Sequence, residues 1–233
     1  MVLFGIPTML NKSFSLSLFI LLCTLANPFA AAKQFLPDAP NVDAKAWILV
    51  DADTGYVIAE QNADDTLPPA SLAKMMTTYI TSKEIAENRL KEDDLVVISD
   101  NAWELGGAKT DGSTMFLSPR SKVPVIDLMR GVIIQSGNDA AISLAEHISG
   151  GETAFSDNMN YQAELMGMTN TYYMNATGLP AEGMVTSARD LTILAKAIIN
   201  EHPEYYSIYS EKYFSHNKIN QPNRNRLLWR DSS

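Results

Sequence analysis

The sequence has few of the residues that hold disulfide-rich or metal-dependent proteins together. Cys23 is the single cysteine among 233 residues, so no disulfide can form within the chain. The three histidines, His147, His202 and His216, are scattered, and the H-E-x-x-H pattern of zinc peptidases does not occur. We expect each histidine at the surface or at a helix end, and we expect no metal and no other cofactor.

The chain also has fewer basic than acidic residues. The chain has 18 Lys and Arg residues against 27 Asp and Glu residues, which gives a formal net charge of −9. No basic cluster occurs, which argues against nucleic acid as a partner. An acidic surface of this kind also does not favour binding to anionic lipids. The apolar content of 46% is that of an ordinary globular protein, and the length suits one domain.

Apolar runs long enough to cross a bilayer are missing as well. Phe14–Leu25 is apolar but too short for a membrane-spanning helix. Lys12 precedes this run and the small residues Ala30–Ala32 follow it, an order that is typical of a secretory signal peptide. The sequence therefore predicts a signal peptide over residues 1–32, cleaved near Ala32, with an uncleaved anchor as the alternative.

Ser71 and Lys74 form an S-x-x-K pattern that opens a stripe of apolar residues at helical spacing. Residues three apart lie on one face of a helix, so the Lys74 amine comes within reach of the Ser71 hydroxyl. A helix N-terminus and burial both favour the neutral amine, which can take the proton that a serine must lose to become a nucleophile. A second S-x-x-K pattern at 215–218 lies in a polar segment. The alternative for Ser71 is an ordinary helix N-cap.

An S-x-N pattern at 136–138 lies between two apolar segments, 132–134 and 141–148. Packing of both flanks would hold the hydroxyl of Ser136 and the amide of Asn138 at a fixed, exposed turn. The alternative is a plain turn, since Ser, Gly and Asn are all common turn residues.

A further S-x-N pattern, at 156–158, has a different context. The apolar residues around it continue one helical pattern through to Met166. Ser156 and Asp157 therefore fit a solvated first turn of that helix, behind Thr153. We expect this pattern to be structural.

An S-x-x-K helix followed by an S-x-N turn resembles the penicillin-binding proteins and the serine β-lactamases. Further segments narrow the resemblance to the low-molecular-mass D-alanyl-D-alanine carboxypeptidases of bacterial cell-wall maintenance. Six segments of that family occur in order, from about residue 40 to the end of the chain: N-A-D at 62–64, P-A-S-L at 69–72, Q-S-G-N-D-A at 135–140, N-A-T-G-L at 175–179, S-A-R-D at 187–190 and N-R-N-R-L-L-W at 223–229. Their ordered spacing is far more specific than either short motif alone.

The resemblance implies an α/β fold of the serine β-lactamase and transpeptidase type. In that fold an antiparallel sheet is flanked by helices, and a helical lobe would carry Ser136. The residue pattern predicts a β-hairpin over 46–59 as the first two strands. Helices are expected at 71–88, 125–134, 139–148, 153–166 and 187–199, a loop-rich stretch at 99–124, and irregular structure or a strand at 205–219.

The resemblance also implies an activity, the removal of the terminal D-alanine from peptidoglycan pentapeptides through an acyl-enzyme in the periplasm. Ser71 is then the nucleophile, Lys74 the general base, and Ser136 the relay that passes the proton to the leaving amine. Asn138 is expected to bind the substrate, and the Ser71 N–H to form half of an oxyanion hole. β-Lactams are expected to acylate Ser71 in the same way and so to inhibit.

One motif of the family does not occur in this sequence, Lys-Thr-Gly on a strand that lines the cleft. The Lys-Thr-Asp-Gly run at 109–112 is no substitute, because it lies upstream among loop-forming residues. We therefore expect residues 33–233 to be an incomplete domain, with its C-terminal strands missing and a sheet edge exposed. Contact with the inner membrane is expected only through the missing C-terminal region, at the periphery of the membrane.

Two alternatives stay open at this point. The polypeptide as given can be a catalytically inactive, truncated penicillin-binding fragment that is poorly soluble and releases no D-alanine. Less favoured is a class A-like β-lactamase that uses the S-D-N pattern at 156–158.

Overall fold

The computed structural model describes residues 39–108, 110 and 112–230. The predicted signal peptide lies outside the described residues, as do Lys109 and Asp111. Helices and short antiparallel strand pairs make up the described chain, in agreement with the expected α/β class. The strands are β1 Trp47–Val50, β2 Val57–Gln61, β3 Leu95–Val97, β4 Lys122–Pro124, β5 Tyr213–His216 and β6 Ile219–Pro222. The α-helices are α1 Lys74–Ala86, α2 Asp100–Trp103, α3 Val125–Gln135, α4 Asn138–Ser149, α5 Glu152–Met166, α6 Ala188–Glu201 and α7 Pro203–Tyr206.

Shorter helical turns complete the architecture. A 3₁₀ turn at Ala70–Ala73 leads into α1, and two more lie at Ser207–Ser210 and Arg226–Trp229. A π-helical turn, Glu104–Ala108, follows α2. None of the helices in the described ranges combines the length and the hydropathy that are needed to cross a bilayer.

The predicted hairpin over 46–59 is confirmed, because β1 and β2 pair antiparallel with Trp47 opposite Gln61. Asp51 closes the connection, since its carboxylate accepts hydrogen bonds from the N–H and the hydroxyl of Thr54. Leu49 and Ile58 are each about half exposed on this hairpin, at 53% and 46%. Every sheet among the described residues has two strands, so the larger expected sheet is represented here by its first hairpin.

Helix α1 lies at the centre of the core and packs against α3, α4 and α6. Its buried polar side chains are satisfied within the protein. The Thr81 and Ser82 hydroxyls donate to carbonyls one turn earlier, and the Thr77 hydroxyl donates to the Ala176 carbonyl at 2.7 Å. Helix α4 contributes apolar side chains to the core, and Ala141, Ile142 and Leu144 are inaccessible to solvent or nearly so. Both helices are therefore rigid supports for their N-terminal ends.

The stretch expected to be loop-rich, 99–124, contains more structure than the composition predicts. Strand β4 pairs with β3 and brings Val123 opposite Val96, and both side chains are buried. Ser99 caps α2 because its hydroxyl accepts from the Ala102 N–H at 2.8 Å. The segment 205–219, expected to be irregular or strand, holds the end of α7, a 3₁₀ turn and β5.

The expectation for Ser156 is wrong, and His202 is more buried than its sequence position indicates. Helix α5 begins at Glu152, and Ser156 is 7% exposed with its hydroxyl donating to the Thr153 carbonyl at 2.8 Å. Both residues therefore lie in the second turn rather than the first, and only Asp157 is exposed as expected. His202 lies at a helix end, after α6, as expected; it is also buried there, at 5% exposure, and packs edge-on against the Tyr79 ring at 5.4 Å. Tertiary packing, which local patterns do not report, buries both side chains.

Candidate active site

Ser71 and Lys74 come together as the sequence predicts. Ser71 lies in the 3₁₀ turn, and Lys74 is the first residue of α1. The Lys74 Nζ is 3.4 Å from the Ser71 Oγ. Ser71 is not an N-cap, because the turn has no side-chain cap and begins after Pro69. Ala70 holds a φ of +47°, a left-handed value that is uncommon for a residue with a side chain and that fixes the approach to Ser71.

The surroundings of Lys74 favour its neutral, basic form more than water does. Its side chain is 4% exposed, and its Nζ donates to the Thr177 carbonyl at 2.6 Å. Burial lowers the pKa of Lys74 to about 8; the Arg224 charge acts in the same direction, and Asp139 opposes it. A neutral amine can donate one proton to Thr177 and still accept the proton of the Ser71 hydroxyl. The geometry therefore supports proton transfer from Ser71 to Lys74.

Ser136 belongs to the same site. Ser71, Lys74 and Ser136 line one cavity of about 490 Å³, whose other walls include Val132 and Tyr209. Ser136 closes α3 in a left-handed conformation with a φ of +61°. Its Oγ is buried and has no hydrogen-bond partner among the described residues. A buried hydroxyl without a partner is costly unless a ligand or a proton acceptor completes it.

Asn138 lies beside this cavity rather than in its lining. It is the first residue of α4 and is 4% exposed, and the Ser136 Oγ is buried as well, so the expectation that this turn exposes both groups is wrong. Its backbone N–H donates to the Ser113 carbonyl at 2.8 Å. The side-chain Nδ2 lies against Gly112, where an added Cβ would come within 2.5 Å of it. The structure thus brings three of the four predicted residues to one cavity and sets Asn138 in the adjoining wall.

The competing patterns do not form a site of this kind. Ser215 is exposed on β5, and Lys218 is exposed in the turn that follows. Ser156 is bonded inside α5. Thr110 and Gly112 lie in bends, in keeping with the loop predicted there. Across the described ranges, no three His, Cys, Asp or Glu side chains come close enough together to hold a metal ion.

The sequence analysis identified residues 175–179 as a family segment but missed that this segment holds Lys74 from the other side. Asn175 organises this segment, because its Oδ1 accepts from the N–H groups of Thr177 and Gly178 and from the Thr177 hydroxyl. Gly178 has a φ of +78°, and a Cβ there would come 1.7 Å from the Ala70 carbonyl oxygen. The N-x-T-G pattern signals such a turn, but nothing local in it points to Lys74.

Asp139 is a second residue that the sequence reasoning missed. It is 1% exposed, and its carboxylate accepts from the Met115 and Leu117 N–H groups and from the Thr114 hydroxyl, at 2.7–3.0 Å. These bonds hold the 114–117 segment against the turn that carries Ser136 and Asn138. An acidic residue in the first turn of a helix is a common stabilising feature, so its sequence position alone gives no sign of this role.

Sequence comparisons agree with this geometry. A family model described as D-alanyl-D-alanine carboxypeptidase, peptidase family S11, matches residues 33–233. The D-alanyl-D-alanine carboxypeptidase DacC of Escherichia coli K12 is 48% identical over 203 residues, which are 87% of this chain and 51% of that protein. DacA of the same strain is 44% identical over 201 residues, 86% of this chain and 50% of that protein. The chain spans about half the length of these relatives.

Solved structures give the same result at the level of the fold. Penicillin-binding protein 6B from Escherichia coli aligns with a TM-score of 0.81 and 40% identity, covering 86% of this chain and 63% of that one. Penicillin-binding protein D2 from Listeria monocytogenes, in an ampicillin-bound form, aligns with a TM-score of 0.72 and 27% identity, covering 83% of this chain and 77% of that one. The arrangement of helices and hairpins described above is therefore that of penicillin-binding proteins.

Proposed function

Because this chain belongs to the D-alanyl-D-alanine carboxypeptidase family, we propose that it acts as a serine carboxypeptidase on peptidoglycan stem pentapeptides and removes their terminal D-alanine. One observation carries the proposal. The Ser71 hydroxyl lies 3.4 Å from a buried lysine amine whose pKa is lowered to about 8, in a cavity that also holds the Ser136 hydroxyl. Such a pair activates a serine for acyl transfer without a histidine or a metal.

In the acylation step, Lys74 takes the Ser71 proton as the Ser71 Oγ attacks the carbonyl carbon of the penultimate D-alanine. The tetrahedral oxyanion that forms is stabilised in part by the Ser71 N–H. When it collapses, the bond to the terminal D-alanine nitrogen breaks and that nitrogen needs a proton. We assign its delivery to Ser136, whose buried and unpartnered hydroxyl would pass on the proton held by Lys74.

In the second step, water attacks the ester carbonyl carbon on Ser71 and Lys74 takes a proton from the water. The bond from that carbon to the Ser71 Oγ then breaks, Lys74 returns the proton to Oγ, and the shortened peptide leaves. Asn138 supports the site from the wall beside the cavity, where we propose that it contacts the substrate amide. β-Lactams acylate Ser71 in this scheme because their strained amide mimics the scissile bond. The predicted signal peptide and the peptidoglycan substrate both support action in the periplasm.

Labelling with a fluorescent penicillin tests the assignment of the nucleophile. The wild-type chain and its Ser215→Ala variant are expected to be labelled equally, whereas Ser71→Ala is expected to lose the label completely. Peptide mass spectrometry of the labelled protein should find the adduct on the peptide that contains Ser71. Labelling that survives in Ser71→Ala would overturn the assignment.

Release of D-alanine from a D-Ala-D-Ala peptide tests the reaction itself. Release by the wild-type chain and none by Ser71→Ala is the expected result. Penicillin labelling without any release of D-alanine would support the alternative of a penicillin-binding chain that does not turn over its substrate.

A further inference from the structure

The side-chain amide of Asn175 binds several backbone groups of one turn. Its Oδ1 accepts hydrogen bonds from the Thr177 N–H at 3.1 Å, from the Thr177 hydroxyl at 2.9 Å and from the Gly178 N–H at 2.8 Å. Its Nδ2 donates to the Leu179 carbonyl at 3.0 Å. This one side chain therefore defines the conformation of residues 177–179, which we call the Asn175 turn.

The Asn175 turn contacts the supports of both Lys74 and Ser71. The carbonyl of Thr177 accepts a hydrogen bond from the Lys74 Nζ at 2.6 Å. Gly178, the next residue, lies so close to Ala70 that an added Cβ would come 1.7 Å from the Ala70 carbonyl oxygen. Ala70 immediately precedes Ser71 and holds a left-handed φ of +47°. The turn therefore supports both ends of the 3.4 Å separation between the Ser71 Oγ and the Lys74 Nζ.

The chain just before this turn is anchored without the Asn175 amide. The Ala176 carbonyl accepts from the Thr77 hydroxyl of α1 at 2.7 Å. Asn160 of α5 binds both the N–H and the carbonyl of Tyr173, at 2.7 and 2.9 Å. Removal of the Asn175 amide therefore leaves the preceding residues tied to α1 and α5 and loosens the Asn175 turn alone.

We infer that Asn175 is a positioning residue for acylation, because its amide fixes the turn that holds the Lys74 amine on one side and the backbone before Ser71 on the other. The inference rests on the proposed function, since it takes Ser71 and Lys74 as the reacting groups. Asn175 acts through the backbone of its turn and is not itself a catalytic residue. A displacement of about 1 Å between reacting groups costs up to about a hundredfold in rate. The effect of Asn175 should therefore appear in the acylation step and not in the binding that precedes it.

Two substitutions of Asn175 test the inference through acylation by a penicillin. Asn175→Leu nearly keeps the side-chain volume and removes the hydrogen bonds, whereas Asn175→Asp keeps an acceptor for Thr177 and Gly178 and loses only the bond to Leu179. Quench-flow kinetics separate the dissociation constant of the first complex from the acylation rate constant. In Asn175→Leu the rate constant should fall about 10- to 100-fold while the dissociation constant stays unchanged. Asn175→Asp should recover most of the lost rate on the plateau at high pH.

Asn160→Leu is the matched control. It also removes an amide that is bonded to backbone, but its partner is Tyr173, four residues before the carbonyl that holds Lys74. Both Leu variants should lower the midpoint of urea unfolding, and Asn160→Leu should leave the acylation rate constant unchanged. An equal fall of the rate constant in both variants would assign the effect to the stability of the fold and overturn the inference.

The Lys74 amine gives a second measurement that needs no turnover. Burial has the largest effect on the pKa of Lys74, so a loosened turn that admits water should move this pKa from about 8 towards the ordinary value of 10.5. Arg224 and Asp139, the charged groups that also act on Lys74, are the same in all variants. NMR of ¹³C-labelled lysine follows the titration, with Lys74→Met to assign the signal. The midpoint should rise in Asn175→Leu and stay fixed in Asn160→Leu; a midpoint that stayed fixed in both would overturn the inference.

The outcomes distinguish the inference from the proposed function. Release of D-alanine by the wild-type chain, with unchanged acylation in Asn175→Leu, would overturn the inference and leave the proposed function standing. Slower acylation in Asn175→Leu that Asn175→Asp restores, without release of D-alanine by the wild-type chain, would support the inference and overturn the proposed turnover. If penicillin does not acylate Ser71 at all, the proposed nucleophile is wrong and the inference is overturned with it.

Discussion

Two segments of this chain have the same S-x-x-K spacing, but they differ in burial and in backbone conformation. Ser71 and Lys74 begin a helix at the centre of the core, and Lys74 is 4% exposed. Ser215 lies on an exposed strand position, and Lys218 lies in the two-residue turn after β5, with a φ of +65°. The motif is the same in both segments, so the difference in chemistry comes from what surrounds it.

Backbone conformation accounts for the first part of this difference. A helical turn aligns residues three apart, which gives the 3.4 Å separation between Lys74 Nζ and Ser71 Oγ. In the β5–β6 hairpin, the chain reverses between Ser215 and Lys218, since Ser215 pairs with Asn220. Burial accounts for the second part, because desolvation lowers the pKa of Lys74 to about 8. The fold therefore supplies both alignment and desolvation at Ser71 and Lys74 and neither at Ser215 and Lys218, and the proposed function assigns catalysis to the first pair alone.

Replacing each of the two lysines in turn tests this comparison most directly. Lys74→Met should slow acylation by a penicillin by about four powers of ten, the upper end for loss of a positioned base. Met nearly preserves the volume of the side chain, so the core should remain packed. Lys218→Met should leave the rate unchanged. Stopped-flow or quench-flow acylation rates give the measurement, with circular dichroism as the check on folding. Equal rates in the two variants would contradict the assignment of Lys74 as the base.

The two S-x-N patterns offer a second comparison, with a somewhat smaller expected effect. Ser136 has a buried hydroxyl without a partner in the described residues, whereas the Ser156 hydroxyl is bonded to a carbonyl of its own helix. Ser136→Ala should slow acylation by about two to four powers of ten, and Ser156→Ala should not slow it measurably. If Ser156→Ala proved the damaging change, the β-lactamase-like alternative would gain support.

These comparisons also show how far sequence reasoning reaches. Local patterns predicted the 46–59 hairpin, the long helices and the approach of Ser71 to Lys74, because each depends on residues close in sequence. The Lys74 bond to Thr177 joins residues 103 positions apart, and no periodicity reports such a contact. The pairing of β3 with β4 was missed for the same reason: both strands are short, and each is stabilised mainly by the other.

The ordered family segments indicated the fold type and the activity, which local sequence patterns could not predict. The N-A-T-G-L segment contributed to the resemblance as a motif alone, and the structure adds its reason: Gly178 packs on the Ala70 carbonyl, and Thr177 accepts from Lys74. Burial was the least predictable property. Ser156 and His202 are both polar and both buried, and His202 packs against Tyr79, which is distant in sequence.

The pH dependence of acylation tests whether burial sets the state of Lys74. The reaction needs the neutral amine, so the rate should fall about tenfold per pH unit below the pKa of about 8 and level off above it. At pH 6 the rate should therefore be roughly one hundredth of its plateau. The Arg224 charge lowers the pKa of Lys74, so in Arg224→Gln the midpoint should move to higher pH. A midpoint that stayed fixed would show that Arg224 does not act on Lys74.

The smallest expected effect is on the free energy of unfolding, through the backbone that supports Ser71. Two glycines of one segment, Gly178 and Gly183, test it. Gly178 and Gly183 both have a positive φ, +78° and +81°, but a Cβ on Gly178 would strike the Ala70 carbonyl, whereas one on Gly183 would meet nothing within 4 Å. Gly183→Ala should lower the free energy of unfolding by about 1 kcal/mol, the cost of a left-handed residue with a side chain. Gly178→Ala should cost about 2–4 kcal/mol, because a backbone clash is added to that strain. Urea unfolding gives both values, and equal losses would mean that the contact between Gly178 and Ala70 does not support the turn of Ser71.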